Sequence, residues 1–107
     1  MAESTPPPRK FEQFVSRYPK LGEAWDRIHQ AEQEGPLDPR TQRLVKLAIA
    51  IGAFREGAVH ASARKAKDAG ITREEMEQVV ALAAATLGMP STVAAHVWVR
   101  DVTDKPE

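Results

Sequence analysis

Cysteine is absent from the 107 residues. That excludes disulfides, thiolate metal sites, iron–sulfur clusters and a cysteine nucleophile. It also fits a cytoplasmic protein. An excess of one charge sign is missing too: 15 Lys and Arg meet 15 Asp and Glu. Nucleic-acid binders carry a basic surplus and electrostatic membrane anchors a polybasic segment, so neither partner is expected. Long apolar runs are lacking. Ala48–Phe54 and Val79–Met89 are the longest, and Thr86 and two glycines dilute them, whereas a bilayer span needs about 20 residues. The opening MAESTPPP has neither the basic nor the apolar region of a signal peptide. No run alternates with period two, so no strand is expected.

What remains is a helical pattern. Hydrophobic residues make up 42%, ordinary for a globular chain and too many for a disordered one. The length suits one domain. Three prolines in Met1–Pro8 read as a tail, so residues 1–10 are assigned to a Pro-rich disordered segment, 11–103 to one domain and 104–107 to a tail. Phe11, Phe14, Val15 and Tyr18 have helical spacing, and Pro19 ends that helix. Lys20–Glu34 carries Leu21, Trp25, Ile28 and Ala31 on one face, with Gly35 as its stop. Asp38 before Pro39 is an N-cap and a first-turn proline, opening a helix to about Phe54.

A break is expected between Gly52 and Gly57, then a helix over Glu56–Ala69 closed by Gly70. Thr72 and Glu75 form a capping box for a helix to about Leu87, and Ser91–Val102 forms the last. The class is all-α, five to six helices with short connections. From Leu44 the third helix is apolar almost all round. Such a helix is buried centrally or in an assembly, and a homo-oligomer is the simpler account for so small a domain.

Few residues carry chemistry. Arg64, Lys65 and Lys67 close one helix, and Glu74, Glu75 and Glu77 open another; both groups complement the helix dipoles. The three histidines lack metal-ligand spacing, and no metal is expected. His29 reads as a boundary residue beside Trp25. His96 shares a stripe with Thr92, Arg100 and Thr103, which reads as an exposed polar face. Glu56, His60 and Arg64 lie at i, i+4 and i+8. A carboxylate one turn before an imidazole orients it for proton transfer. The other reading of that stripe is a surface ladder of charges. Ser62 lies about 200° round the helix from His60, too far for a Ser–His dyad.

Leu37–Gly52, then Glu56-Gly57-Ala58-Val59-His60-Ala61-Ser62-Ala63-Arg64-Lys65-Ala66, then Ala69–Glu75 and Leu87–Pro90 resemble the carboxymuconolactone decarboxylase and alkylhydroperoxidase D-like family. The resemblance covers about Phe11 to Val102. It implies an all-α homotrimer or homohexamer with pockets near subunit contacts. The family's peroxidase branch carries C-x-x-C, a histidine and a later alanine. With that alanine on Ala66, the histidine falls on Ser62, the cysteines on Arg55 and Ala58, and a supporting glutamate on Arg43. Thiol peroxide chemistry is therefore excluded.

The decarboxylase branch tends to carry E-G-A-V-H-x-H; Glu56 and His60 match it, and Ser62 replaces the second histidine. The resemblance thus implies His60 and Glu56 as catalytic candidates, with Arg64, Arg43 and Ser62 binding a small carboxylated or lactone-like substrate and no cofactor. The alternative is a non-catalytic helical oligomer that binds a small molecule or a protein partner.

Overall fold

A computed structural model describes residues 9–105 of the chain. Seven helices occur among them: α1 Arg9–Arg17, α2 Pro19–Glu32, α3 Pro39–Ala53, α4 Glu56–Asp68, α5 Arg73–Leu82, α6 Ala84–Leu87 and α7 Met89–Thr103. No strand occurs among the described residues. The all-α reading is correct. Arg9 and Lys10, assigned to the tail from sequence, are helical. The rest of that tail, residues 1–8, lies outside the described residues.

The described residues divide into two compact units, residues 9–37 and the segment from Asp38 onward. In the first, α1 packs on α2. The close approach uses Gly22, where an added Cβ would come within 3.2 Å of Val15. Neither helix buries a residue. Helix α2 ends at Glu32, with Gln33 as its cap, before the Gly35 expected to stop it.

The second unit holds the core. Helix α4 packs against α3 and α7, and α5 against α3 and α7. The largest fully buried side chains are Leu47 and Ile51 of α3, Val59 of α4, Met76 of α5 and Val99 of α7. Each removes enough apolar surface from water to contribute about 1.5–3 kcal/mol. Ala63, Ala66 and Ala95 are also fully buried, and their small side chains let the helices approach closely.

The helix boundaries follow local chemistry. The Asp38 carboxylate accepts from the Thr41 amide at 3.2 Å, capping α3 as expected. Helix α3 ends at Phe54, a left-handed residue with φ 55. Its ring lies 4.8 Å from that of Trp98. The expected break between the two glycines is therefore made by a phenylalanine held in place by packing. Helix α4 ends in a Schellman motif: Gly70 has φ 84, its amide donates to Lys67 O, and the Ile71 amide donates to Ala66 O.

The single helix expected from Thr72 to Leu87 is instead two. The Ala83 amide donates to Val80 O and the Thr86 amide to Ala83 O. These are tighter three-residue bonds that interrupt the regular ladder. Helix α7 starts two residues earlier than expected, from Gly88 with φ 83.

Candidate functional site

The expected site begins on α4. Val59, Ala63 and Ala66 form its buried stripe, which leaves His60 on one flank and Ser62 on the other. The His60 flank faces α7. There His60 Nε2 lies 3.0 Å from the Asp101 Oδ2 of α7. A carboxylate only accepts, so in the neutral ring Nε2 carries the proton and Nδ1 the free lone pair. The His60 side chain keeps 26% of its exposure and Asp101 49%. The pair is therefore reachable from solvent.

Two turns toward the C-terminus of α4, the Lys67 ammonium donates to Lys105 O at 3.0 Å and Val102 O at 3.5 Å. Both carbonyls lie at or just past the C-terminal end of α7, where a cation is favourable. Lys67 thus ties the C-terminal end of α4 to that of α7, whose last turn carries Asp101.

Sequence reasoning brought Glu56 to His60. The structure brings Asp101 there instead. Glu56 is exposed in the first turn of α4, and its side chain makes no hydrogen bond or ion pair among the described residues. Arg64 lies half-buried one turn beyond His60 on the same stripe, Ser62 is half-buried on the opposite flank, and Arg43 is half-buried on α3. Asp101 lies 41 residues from His60, so no local spacing reveals the pair. Only the packing of α4 on α7 creates it.

Asp101 opens onto the outer face of α7. A shallow cleft of about 530 Å³ lies there, lined by His96, Val97, Arg100, Asp101, Asp104 and Lys105. Arg100 Nε donates to both Asp104 oxygens at 3.0 and 3.1 Å. That bond holds the Asp104 carboxyl below the ordinary carboxylate range, with the charges of Arg100, Arg73 and His96 adding to it. Arg73 of α5 reaches Glu77 at 3.3 Å and Asp104 at 3.4 Å, tying α5 to α7. The stripe of His96, Thr92 and Thr103 is not the uniform exposed face expected from sequence. Thr92 is buried and its hydroxyl donates to Gly88 O at 2.8 Å. Thr103 Oγ1 is buried without a partner among the described residues.

The other histidine behaves as a boundary residue. His29 Nδ1 donates to Trp25 O at 3.1 Å, and its ring meets the Trp25 ring edge-on at 4.7 Å.

A second, more apolar hollow of about 530 Å³ lies between α3, α5 and α6, lined among others by Leu44, Val45, Val79, Leu82 and Leu87. Glu75 stands at its rim. Arg40 Nη2 reaches both Glu75 oxygens at 2.5 Å, and the Thr72 amide donates to Glu75 Oε1 at 2.9 Å. The Arg40 hydrogen bond, aided by those from Thr72, lowers the Glu75 pKa from 4.5 to about 2.

No helix among the described residues is long and apolar enough to cross a membrane. No curated protein and no solved structure matches the chain. The family model of the carboxymuconolactone decarboxylase family matches residues 19–101, which takes in α4, most of α7 and both members of the His60–Asp101 pair. The chain belongs to the carboxymuconolactone decarboxylase family.

Proposed function

We propose that this protein is a cofactor-free acid–base catalyst. Its substrate is a small carboxylated or lactone-like molecule bound at a subunit interface of a cytoplasmic homotrimer or homohexamer. The carrying observation is the 3.0 Å contact between His60 Nε2 and Asp101 Oδ2. A buttressed imidazole with one nitrogen tied back and the other free is the arrangement that moves protons.

In a decarboxylation, the bond from the carbon skeleton to the carboxylate breaks and carbon dioxide leaves. The electron pair stays on the skeleton, delocalised into a conjugated lactone carbonyl. One proton must then be delivered to carbon, and His60 supplies it from Nδ1 when its ring is protonated. Asp101 stabilises the imidazolium and fixes the ring. Arg64 and Arg43 hold the carboxylate, Glu56 orients groups at the His60 stripe, and Ser62 contributes a hydrogen bond to the substrate.

The test is carbon dioxide release from carboxylated γ-lactones. His60→Ala lowers kcat by about 10²–10⁴. A loss under threefold overturns the reading. Asp101→Asn gives a smaller loss in kcat with little change in KM, as befits a residue that positions the ring.

The amount of exposed apolar surface favours a second reading, a non-catalytic oligomer that binds a small molecule or a protein partner. No turnover by the wild-type chain on any carboxylated lactone favours it over the first.

A further inference from the structure

Asp101 stands in the last turn of α7, and helix ends are where structure frays first. Its carboxylate is half exposed. The bond to His60 Nε2 tolerates little displacement, because hydrogen bonds weaken steeply as they bend. That turn therefore has to be held in place. Burial does part of this, since Val102 keeps only 6% of its exposure. An apolar contact is non-directional. It fixes how deep the turn sits and leaves its rotation and its slide along α4 loose.

The directional ties come from α4 and α5. On α4, Lys67 follows His60 by seven residues, which returns it to within about 20° of the same face and about 10 Å further along the axis. Both side chains therefore meet α7, His60 at Asp101 and Lys67 at the end of the same turn. The Lys67 ammonium donates to Lys105 O at 3.0 Å and, more weakly, to Val102 O at 3.5 Å. Hydrogen bonds from a charged donor are roughly twice as strong as neutral ones. From α5, Arg73 reaches Asp104 at 3.4 Å. Arg100, which adjoins Asp101, is engaged by Asp104 at 3.0 Å and stands 3.8 Å from Glu77, so it does not draw Asp101 away from His60. One contact between two helices fixes a separation. A second contact on the same face fixes an orientation as well.

We propose that Lys67 is a positioning residue for the His60–Asp101 pair: its tie to Val102 O and Lys105 O sets the last turn of α7 so that the Asp101 carboxylate meets His60 Nε2. The proposal rests on the reading of that pair as the group that moves protons. Such groups must be held to within about 0.5 Å, which a fraying turn does not achieve.

The test reads the His60 ring nitrogens by nuclear magnetic resonance in the full-length chain. The signals are assigned by their loss in His60→Gln, and circular dichroism follows helicity. Asp101→Ala defines the signal of a ring that has lost its carboxylate. Lys67→Met keeps the aliphatic stem and removes the ammonium. It moves the Nε2 signal at least about half of the way from the wild-type position to that of Asp101→Ala, as the last turn of α7 opens. Lys67→Arg keeps the charge and the donors and brings the signal back. Thr72→Ala weakens the fold through the α5 cap instead and leaves the signal at the wild-type position. A merely structural role for Lys67 would lower stability without this local signature.

A Lys67→Met signal at the wild-type position, with that of Asp101→Ala displaced, overturns the role of Lys67 and leaves the pair standing. A signal that Asp101→Ala does not move overturns the pair, and this proposal with it. Equal displacement by Lys67→Met and Thr72→Ala overturns the proposal too, as does a Lys67→Arg signal that stays with that of Lys67→Met. If Lys67→Met loses helicity, Lys67→Gln takes its place and is read in the same way. The readout needs no substrate, so it is separate from the assignment of the reaction.

Discussion

Phe54 ends α3 with φ 55, a left-handed conformation that costs an ordinary residue about 1–2 kcal/mol. Its ring against Trp98 offsets that cost. Phe54→Ala forfeits the ring contact and keeps the backbone cost, so it destabilises by about 2 kcal/mol. Phe54→Gly forfeits the same contact and relieves the backbone. The glycine variant is therefore more stable than the alanine variant by about 1 kcal/mol in urea unfolding. Equal stability of the two contradicts this account of the turn. The sequence announced a break here through Gly52 and Gly57, but neither glycine makes it. The residue that does is legible only through its contact with Trp98, 44 positions on by its number. His60 is similar. Its helix and its flank follow from spacing, whereas its carboxylate comes from α7 and not from Glu56. Local periodicity reports neighbours on one helix and is silent about which helix packs beside it.

At the scale of elements, the caps were the most readable features. Asp38 and the Thr72–Glu75 box act where their spacing placed them, because capping is local chemistry within four residues. Thr72→Ala costs about 1 kcal/mol, measured by urea unfolding. Glu75 does more than its motif requires, since Arg40 of α3 binds the same carboxylate. The pH consequence has a definite sign. The Glu75 pKa falls from 4.5 to about 2, so its stabilising contribution is complete above about pH 4.5. It is lost as pH falls toward 2. Glu75→Gln therefore melts below the wild type at pH 7, and the gap narrows progressively between pH 4.5 and 2. A gap that does not change over that window contradicts the Arg40–Glu75 link between α3 and α5. The division at Ala83 was not readable. Ala and Leu on both sides favour a continuous helix, and the tightened turn reflects how α6 meets α7.

On the scale of the whole molecule, the apolar periodicity gave the helix order, while burial divided the helices unequally. The core draws on α3, α4, α5 and α7, whereas α1 and α2 bury nothing. Amphipathic spacing marks a face that wants cover; it does not say whether the cover comes from the same chain. That is why Trp25 and Leu47 read alike in sequence and differ in burial. Leu47→Ala, at a fully buried position, costs about 2–5 kcal/mol. Measured by urea unfolding, that loss far exceeds what Lys65→Ala at the exposed end of α4 produces.

The central claim is that Asp101 of α7 fixes the His60 ring of α4 for proton transfer. Nuclear magnetic resonance of the imidazole nitrogens and their protons tests it most directly. The account predicts a proton on His60 Nε2 and a bare Nδ1 in the neutral ring, read from the two nitrogen shifts, and a changed Nε2 signal in Asp101→Ala. A His60 ring with its proton on Nδ1, or an Nε2 signal unchanged by Asp101→Ala, would contradict it.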